Sequence, residues 1–185
     1  AKSRIYRGNG VLVVNEDDPN VREIVGRVVA SIDRKRIGFS LRSDVKCTYH
    51  LGRHEGHDCI FREDQLLVDV TDTKLRGRHN LANAMAALAL AEAVDLPMDA
   101  CLSAVCNFAG LVHRTQWVAQ IDGVDWYNDS KGTNVGASVS ALEGMHGPKV
   151  LIAGGEGKGA DFTPLAEAIV DNNVKAVVLI GRDAP

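Results

Sequence analysis

Residues 149–180 read KVLIAGGEGKGADFTPLAEAIVDNNVKAVVLI, and the order of their parts decides the fold class. Residues 149–153 form a short strand-like run, and Gly154-Gly155-Glu156-Gly157-Lys158-Gly159-Ala160-Asp161-Phe162 is a glycine-rich loop. Residues 163–170 then take helical spacing, and 176–180 are a second continuous apolar strand. Apolar strands on both sides of a helix predict a parallel pair joined by a crossover, and so an α/β unit.

Working outward toward the N-terminus, residues 134–145 have helical spacing, while 115–121 and 124–127 alternate as strands around the turn Asp122-Gly123. Residues 80–94 put Leu81, Met85, Leu88 and Ala91 on one face, with alanines filling most other positions. That pattern predicts a helix packed on several sides. Pro97 opens a further helix whose apolar stripe is Ala100, Ala104, Val105 and Phe108. Between residues 36 and 70, four short apolar runs separated by polar, glycine-containing breaks predict strands joined by hairpins. Val11-Leu12-Val13-Val14 predicts a buried strand that ends in the turn Asn15-Glu16-Asp17-Asp18-Pro19 and a loop. Residues 1–7 read as the last turns of a helix closed by Gly8 or Gly10. The strand-rich and βαβ parts meet at 109–114, which predicts one domain over 1–109 and another over 110–185.

Composition narrows the function classes. With 185 residues, 45% hydrophobic and 24% charged, the chain can build a core and lacks the signature of disorder. Asp and Glu total 24 against 21 Lys and Arg, a net charge of −3, so the basic footprint of a nucleic-acid binder is missing. The longest apolar stretch, residues 81–94, is interrupted by Asn83 and Glu92 and is too short to span a bilayer. Four cysteines, at 47, 59, 101 and 106, are too few for a disulfide scaffold and fit a reducing, cytoplasmic setting. The chain opens without Met or a signal-peptide pattern, which predicts a fragment.

Four stretches carry candidate chemistry. The loop 154–162 places backbone N–H groups and Lys158 before a helix, a setting that favours an anion, although a plain strand-to-helix turn explains it equally well. It is not a Walker A loop, because Ile152 and Gly159 stand where that pattern needs glycine and a hydroxyl residue. Asn128-Asp129-Ser130-Lys131-Gly132-Thr133-Asn134 gathers six hydrogen-bonding or charged side chains at a strand's carboxyl end, where α/β proteins bind ligands. Helix capping by Thr133 or Asn134 uses only one or two of them. In Gly110-Leu111-Val112-His113-Arg114, an arginine on a hinge loop has the fork of donors that grips phosphate. In Gly77-Arg78-His79-Asn80-Leu81-Ala82-Asn83, His79 or Asn80 serves as a helix cap, whereas a carboxamide at Asn83 on an apolar helix needs partners and matches a purine edge. Cys47, His50, His54, His57 and Cys59 have spacings that suggest zinc. They are better read as two strands and their exposed turn.

Together with Ala1-Lys2-Ser3-Arg4-Ile5-Tyr6 and Val14-Asn15-Glu16-Asp17-Asp18, these motifs, in this order, resemble the Mur ligase family. The loops 128–134 and 154–162 are most similar to its D-glutamate-adding members. The resemblance implies the end of a central ATPase domain followed by the start of a Rossmann-like C-terminal domain. It implies a reaction in which ATP phosphorylates the carboxylate of UDP-N-acetylmuramoyl-L-alanine and D-glutamate attacks the acyl phosphate, with Mg²⁺, in peptidoglycan precursor synthesis. Position by position, it implies that Lys2 is carbamylated and helps hold Mg²⁺, and that Asn80 and Asn83 lie near adenine. It places Arg114 and Asp129 on ATP phosphate and ribose with His113 beside them, and Lys131, Thr133 and Lys158 around D-glutamate and the product. It further implies a cytoplasmic monomer. The family's phosphate loop and uridine-binding domain would precede Lys2, and further pocket residues would follow Asp183, so the 185-residue chain is expected to be inactive alone. Another Mur-type ligase, folylpolyglutamate synthase, which shares the ATPase plan, and a non-catalytic nucleotide-binding module are the alternatives.

Overall fold

The computed structural model describes residues 2–6, 8–29 and 34–184, with the side chains of Lys2, Ser3, Val28 and Val29 outside that description. The chain is α/β and divides into two units. One comprises residues 1–75 and 80–109, and the other residues 76–79 and 110–185.

The first unit opens with a 3-10 turn, Lys2–Tyr6, then β1 (Leu12–Asn15), α1 (Pro19–Val29), β2 (Arg36–Ser40), β3 (Tyr49–His54), β4 (His57–Arg62) and β5 (Gln65–Asp69). The helices α2 (Arg78–Ala93) and α3 (Met98–Asn107) follow. The five strands form one sheet in sequence order. β1, β2 and β3 run parallel, and only β3, β4 and β5 are antiparallel. Hairpins therefore account for only part of the strand run expected between 36 and 70.

The parallel pairing of β1 with β2 is made possible by α1, where the sequence suggested a turn and loop. Asp18 accepts hydrogen bonds from the N–H groups of Asn20 (2.8 Å) and Val21 (3.3 Å), and Pro19 occupies the first helical position. Both features favour a helix start, so the acidic-proline segment begins a crossover helix. Val25 of α1 is buried with Leu12 and Val14 of β1. The hairpin between β3 and β4 turns through Glu55 (φ 49°) and Gly56 (φ 89°), the left-handed pair that matches strand twist.

The main core joins Ile37, Phe39, Tyr49, Leu51, Ile60 and Val68 of the sheet to Leu81, Ala84, Met85, Leu88 and Ala89 of α2. Each large aliphatic side chain buried there contributes roughly 1.5–3 kcal/mol, and the alanines let the helix approach the strands closely. On α3 the partly buried face is Cys101, Leu102, Val105 and Cys106, while Ala100 and Ala104 are exposed. The expected stripe was rotated, because the two cysteines act as small apolar residues.

The second unit contains β6 (Gln116–Ile121), β7 (Val124–Asn128), α4 (Val135–Gly144), β8 (Lys149–Gly154), α5 (Thr163–Asp171) and β9 (Val174–Ile180). β6 and β7 are an antiparallel hairpin through Asp122 and Gly123, both at positive φ. β8 and β9 are parallel and joined by α5, as expected for residues 149–180. A Cβ at Gly154 would lie 2.0 Å from the Ile180 carbonyl oxygen, so only glycine permits the strands' close approach.

Candidate active site

In the second unit, two polar loops meet because Gln116 at the start of β6 pairs with Asn128 at the end of β7. The Lys131 N–H donates to the His113 carbonyl at 3.0 Å, and the Asn128 amide donates to His113 Nδ1 at 2.9 Å. His113 sits at φ 66°, held there by its own N–H donating to Gln116 Oε1. Asp129 accepts the Thr115 N–H at 2.8 Å through Oδ1, and Thr115 is itself buried at positive φ. Gly132 N–H closes a turn on the Asp129 carbonyl at 2.7 Å, followed by Thr133 N–H on the Lys131 carbonyl. Asn134 then caps α4 by accepting the Ala137 N–H, so capping falls to Asn134 alone, and Thr133 remains exposed.

His113, Arg114, Asp129, Lys131 and Thr133 are thus drawn onto two interlaced loops. The backbone is bonded, yet the side chains of Arg114 and Lys131 have no hydrogen-bond or ion-pair partner among the described residues. Such cations are available to anionic ligands.

The glycine-rich loop leaves β8 and is tied by Asp183, whose Oδ2 accepts the Gly157 N–H at 2.7 Å. The Phe162 ring packs against Gly157, and Ala160 N–H turns back onto the Gly157 carbonyl. Asp161 accepts the Thr163 N–H at the head of α5. The N–H groups of Gly155, Gly157, Ala160 and Thr163 are therefore already engaged, and anion attraction at this loop falls chiefly to Lys158. That residue sits at φ 51°, and its side chain has no partner among the described residues. Neither Asp183 nor Thr115 was recognisable from sequence; each lies next to a motif without matching one.

His79 belongs to this same unit, and it does not behave as a simple cap. Its ring packs against Gly77 and Gly144, with Nε2 3.3 Å from Thr115 Oγ1. Burial lowers the affinity of this imidazole for a second proton, against the pull of the Asp129 carboxylate.

In the first unit, Asn80 and Asn83 lie three residues apart on α2, a spacing that places them on one side of the helix. Asn83 is exposed, so the internal partner expected for its carboxamide is not required. Lys2 is in the opening 3-10 turn, and its side chain lies outside the described residues, as does any carbamate on it. For Mg²⁺, the carboxylates closest to Lys2 in sequence are already engaged. Glu16 takes Arg36 through both oxygens at 2.6 Å, and Asp17 accepts Ser40 Oγ at 2.6 Å and the Leu41 N–H at 2.7 Å. No group of three or more His, Cys, Asp or Glu side chains among the described residues is placed to hold a metal ion.

Of the five zinc-like residues, His50, His54, His57 and Cys59 are dispersed on the β3–β4 hairpin and Cys47 lies just before β3. His50 stacks on Phe61, His57 pairs with Asp69 at 2.9 Å, and Cys47 donates to the Tyr49 carbonyl. Burial pushes the Cys47 thiol up to about 11 and raises that of Cys59, so both favour the protonated form. No helix among the described residues is long and apolar enough to cross a membrane.

Comparison with known proteins accords with this arrangement. Residues 113–185 match the description "Mur ligase, glutamate ligase domain". Over its whole length the chain is 49% identical to a UDP-N-acetylmuramoylalanine--D-glutamate ligase of Nitrosococcus oceani and 44% identical to one of Methylococcus capsulatus, of which it covers 40% and 39%. A Pseudomonas fluorescens protein of the same name is 46% identical over the whole chain, which covers 41% of it. The chain thus spans about 40% of the length of these curated relatives. Among solved structures, MurF from Acinetobacter baumannii shares the fold with a TM-score of 0.71 at 21% identity, covering 98% of this chain and 42% of its own. A bifunctional folylpolyglutamate synthase/dihydrofolate synthase from Yersinia pestis does so with a TM-score of 0.66 at 18% identity, covering 95% and 39%. With relatives of one name aligned along its entire length and a family match over 113–185, the chain is similar throughout to Mur ligases, and residues 113–185 carry the match to their glutamate ligase domain.

Proposed function

We propose that these residues serve an ADP-forming ligase that joins D-glutamate to UDP-N-acetylmuramoyl-L-alanine in peptidoglycan precursor synthesis. Residues 1–109 supply the later part of its ATP-binding domain, and 110–185 the earlier part of its ligase domain. The observation that carries the reading is the pair of unengaged lysines, Lys131 and Lys158, on backbone-tied loops after β7 and β8. The relatives' shared name supplies the substrate pair.

In the reaction, the substrate carboxylate takes the terminal phosphoryl group of ATP, releasing ADP. The amine of D-glutamate then attacks the acyl carbon, and phosphate leaves as the amide forms. Negative charge accumulates at both stages, which cations fixed by the fold stabilise. Arg114 grips phosphate, Asp129 accepts from the ribose hydroxyls, and His113 supports both through the loop. Asn80 and Asn83 present amides to adenine, and Lys131, Thr133 and Lys158 hold D-glutamate, a dicarboxylate suited to ammonium partners. Mg²⁺ supplies charge neutralisation at the phosphates when bound, with a carbamylated Lys2 as one of its holders. The protein works as a cytoplasmic monomer, and the 185 residues alone turn over nothing.

The test is ADP release by the full-length protein with ATP, Mg²⁺ and UDP-N-acetylmuramoyl-L-alanine, comparing D-glutamate with L-glutamate, L-alanine and a diamino acid. Release dependent on D-glutamate supports the reading. Release with another amino acid moves the protein to a different ligase of the family, and release with none refutes the reading. Amino-acid-dependent ADP production by residues 1–185 alone would overturn the expected inactivity.

A further inference from the structure

We propose that His79 is a positioning residue for Asp129, acting through the Thr115 hydroxyl; this rests on the reading of Asp129 as a nucleotide contact. Three observations converge. Thr115 Oγ1 lies 3.3 Å from His79 Nε2 and 3.4 Å from Asp129 Oδ1, so one hydroxyl stands between ring and carboxylate. The Thr115 N–H donates to the same oxygen at 2.8 Å, which leaves Oδ2 for another partner. His79 Nδ1 is buried and has no hydrogen-bond partner among the described residues.

The polarity of the chain follows from what each group can do. A carboxylate only accepts, so the Thr115 hydroxyl hydrogen points to Asp129. The Thr115 oxygen then accepts, and its donor is His79 Nε2–H. That tautomer leaves a bare lone pair at the buried Nδ1. The opposite tautomer would leave an unsatisfied buried N–H, the costlier orphan. Protonation of both nitrogens is opposed by burial of the ring.

The ring itself is fixed by glycine on both sides. A Cβ at Gly77 would lie 2.9 Å from His79 Cε1, and one at Gly144 would lie 3.0 Å from Nδ1. Gly77 also has φ 84°, a conformation that other residues adopt only with strain. The imidazole is thus clamped between the turn before α2 and the end of α4. From there it holds a threonine that is buried and at φ 45°.

Four substitutions in the full-length protein test the relay: His79→Phe, His79→Gln, Thr115→Val and Thr115→Ser. Phe keeps a ring without a donor, whereas Gln keeps an N–H near the place of Nε2. His79→Phe and Thr115→Val are expected to raise KM for ATP by about tenfold, the loss of one network hydrogen bond, with kcat within about twofold. The double variant is expected to be no worse than either single one, because both break the same chain. His79→Gln and Thr115→Ser are expected to restore KM. A unchanged KM in His79→Phe, or equal loss in His79→Phe and His79→Gln, overturns the proposal, as the ring would then matter only for packing. If one variant does not fold, the Thr115 pair decides the hydroxyl's part. Nitrogen NMR of the full-length protein gives a readout independent of activity, with His79 expected protonated at Nε2 and bare at Nδ1. The reverse tautomer sinks the relay even in an active ligase. Absence of D-glutamate-dependent ADP release in the unsubstituted protein refutes the functional reading instead, with the tautomer still measurable.

Discussion

The two units use charge in opposite ways. In the first, Glu92 accepts from Arg62 at 3.0 and 3.1 Å and from the Tyr49 hydroxyl at 2.7 Å, with Lys35 at 3.5 Å. Glu16 and Asp17 are similarly engaged by Arg36 and by the end of β2. In the second, the chain spends its hydrogen bonds on the backbone around Arg114, Lys131 and Lys158 and leaves those side chains unengaged among the described residues. Charges closed on internal partners serve stability, and open charges on a tied backbone are available for recognition.

Removing the open charges gives the largest expected effect. Lys131→Ala and Lys158→Ala are each expected to lower D-glutamate-dependent turnover by about 10²-fold or more, on the scale of losing one preorganised charge contact. Thermal melting should stay close to that of the unsubstituted protein, since neither side chain has a partner among the described residues. A large fall in melting temperature with turnover intact would erase the distinction between the units.

Glu92→Gln should do the reverse, costing about 2–3 kcal/mol of stability in urea unfolding by leaving Arg62 short of its partner, with turnover retained by the folded fraction. The same group gives a pH signature. The Arg62 hydrogen bonds, then that from Tyr49, pull the Glu92 carboxyl down to about 2 against its burial. A depressed carboxyl contributes stability that is complete above its ordinary value of 4.5 and is lost as pH falls toward 2. Unfolding followed between pH 5 and 2 should show that loss, and Glu92→Gln should flatten it. An unchanged acid profile would mean that other carboxylates carry the first unit's acid response.

Asp183→Asn sharpens the contrast at its weakest point. The carboxylate sits in the second unit yet closes on the Gly157 N–H. An amide oxygen keeps the bond without charge, so KM for D-glutamate should rise only about two- to fivefold, with Asp183→Ala the worse of the two. Equal effects of both variants would show that the carboxylate contributes nothing through this N–H.

Legibility in the sequence followed the reach of each signal. The β8–α5–β9 unit, the β6–β7 hairpin and the burial of α2 were readable because periodicity and turn chemistry act within a dozen residues. The parallel pairing of β1 with β2 was not, since it depends on α1, whose start at Asp18-Pro19 also fits a turn. The loops carrying His113, Asp129, Lys131 and Lys158 stood out as polar residues at strand ends. Their mutual arrangement was hidden, because it rests on strand register and on Thr115 and Asp183, which belong to no motif. The exposure of Asn83 was also hidden, because an alanine-rich helix does not declare by composition which turn faces out.

Gly38 carries a consequence for inheritance. A Cβ there would lie 2.6 Å from Glu16 Oε1 and 3.2 Å from Cys47 Cβ, so adding one methyl group displaces the acid that holds Arg36. A neutral, conservative-looking exchange at this position would act as an electrostatic lesion. Second-site revertants of Gly38→Ala should therefore arise at Glu16 and Cys47, through shorter side chains, and not among the aliphatic residues of the neighbouring core.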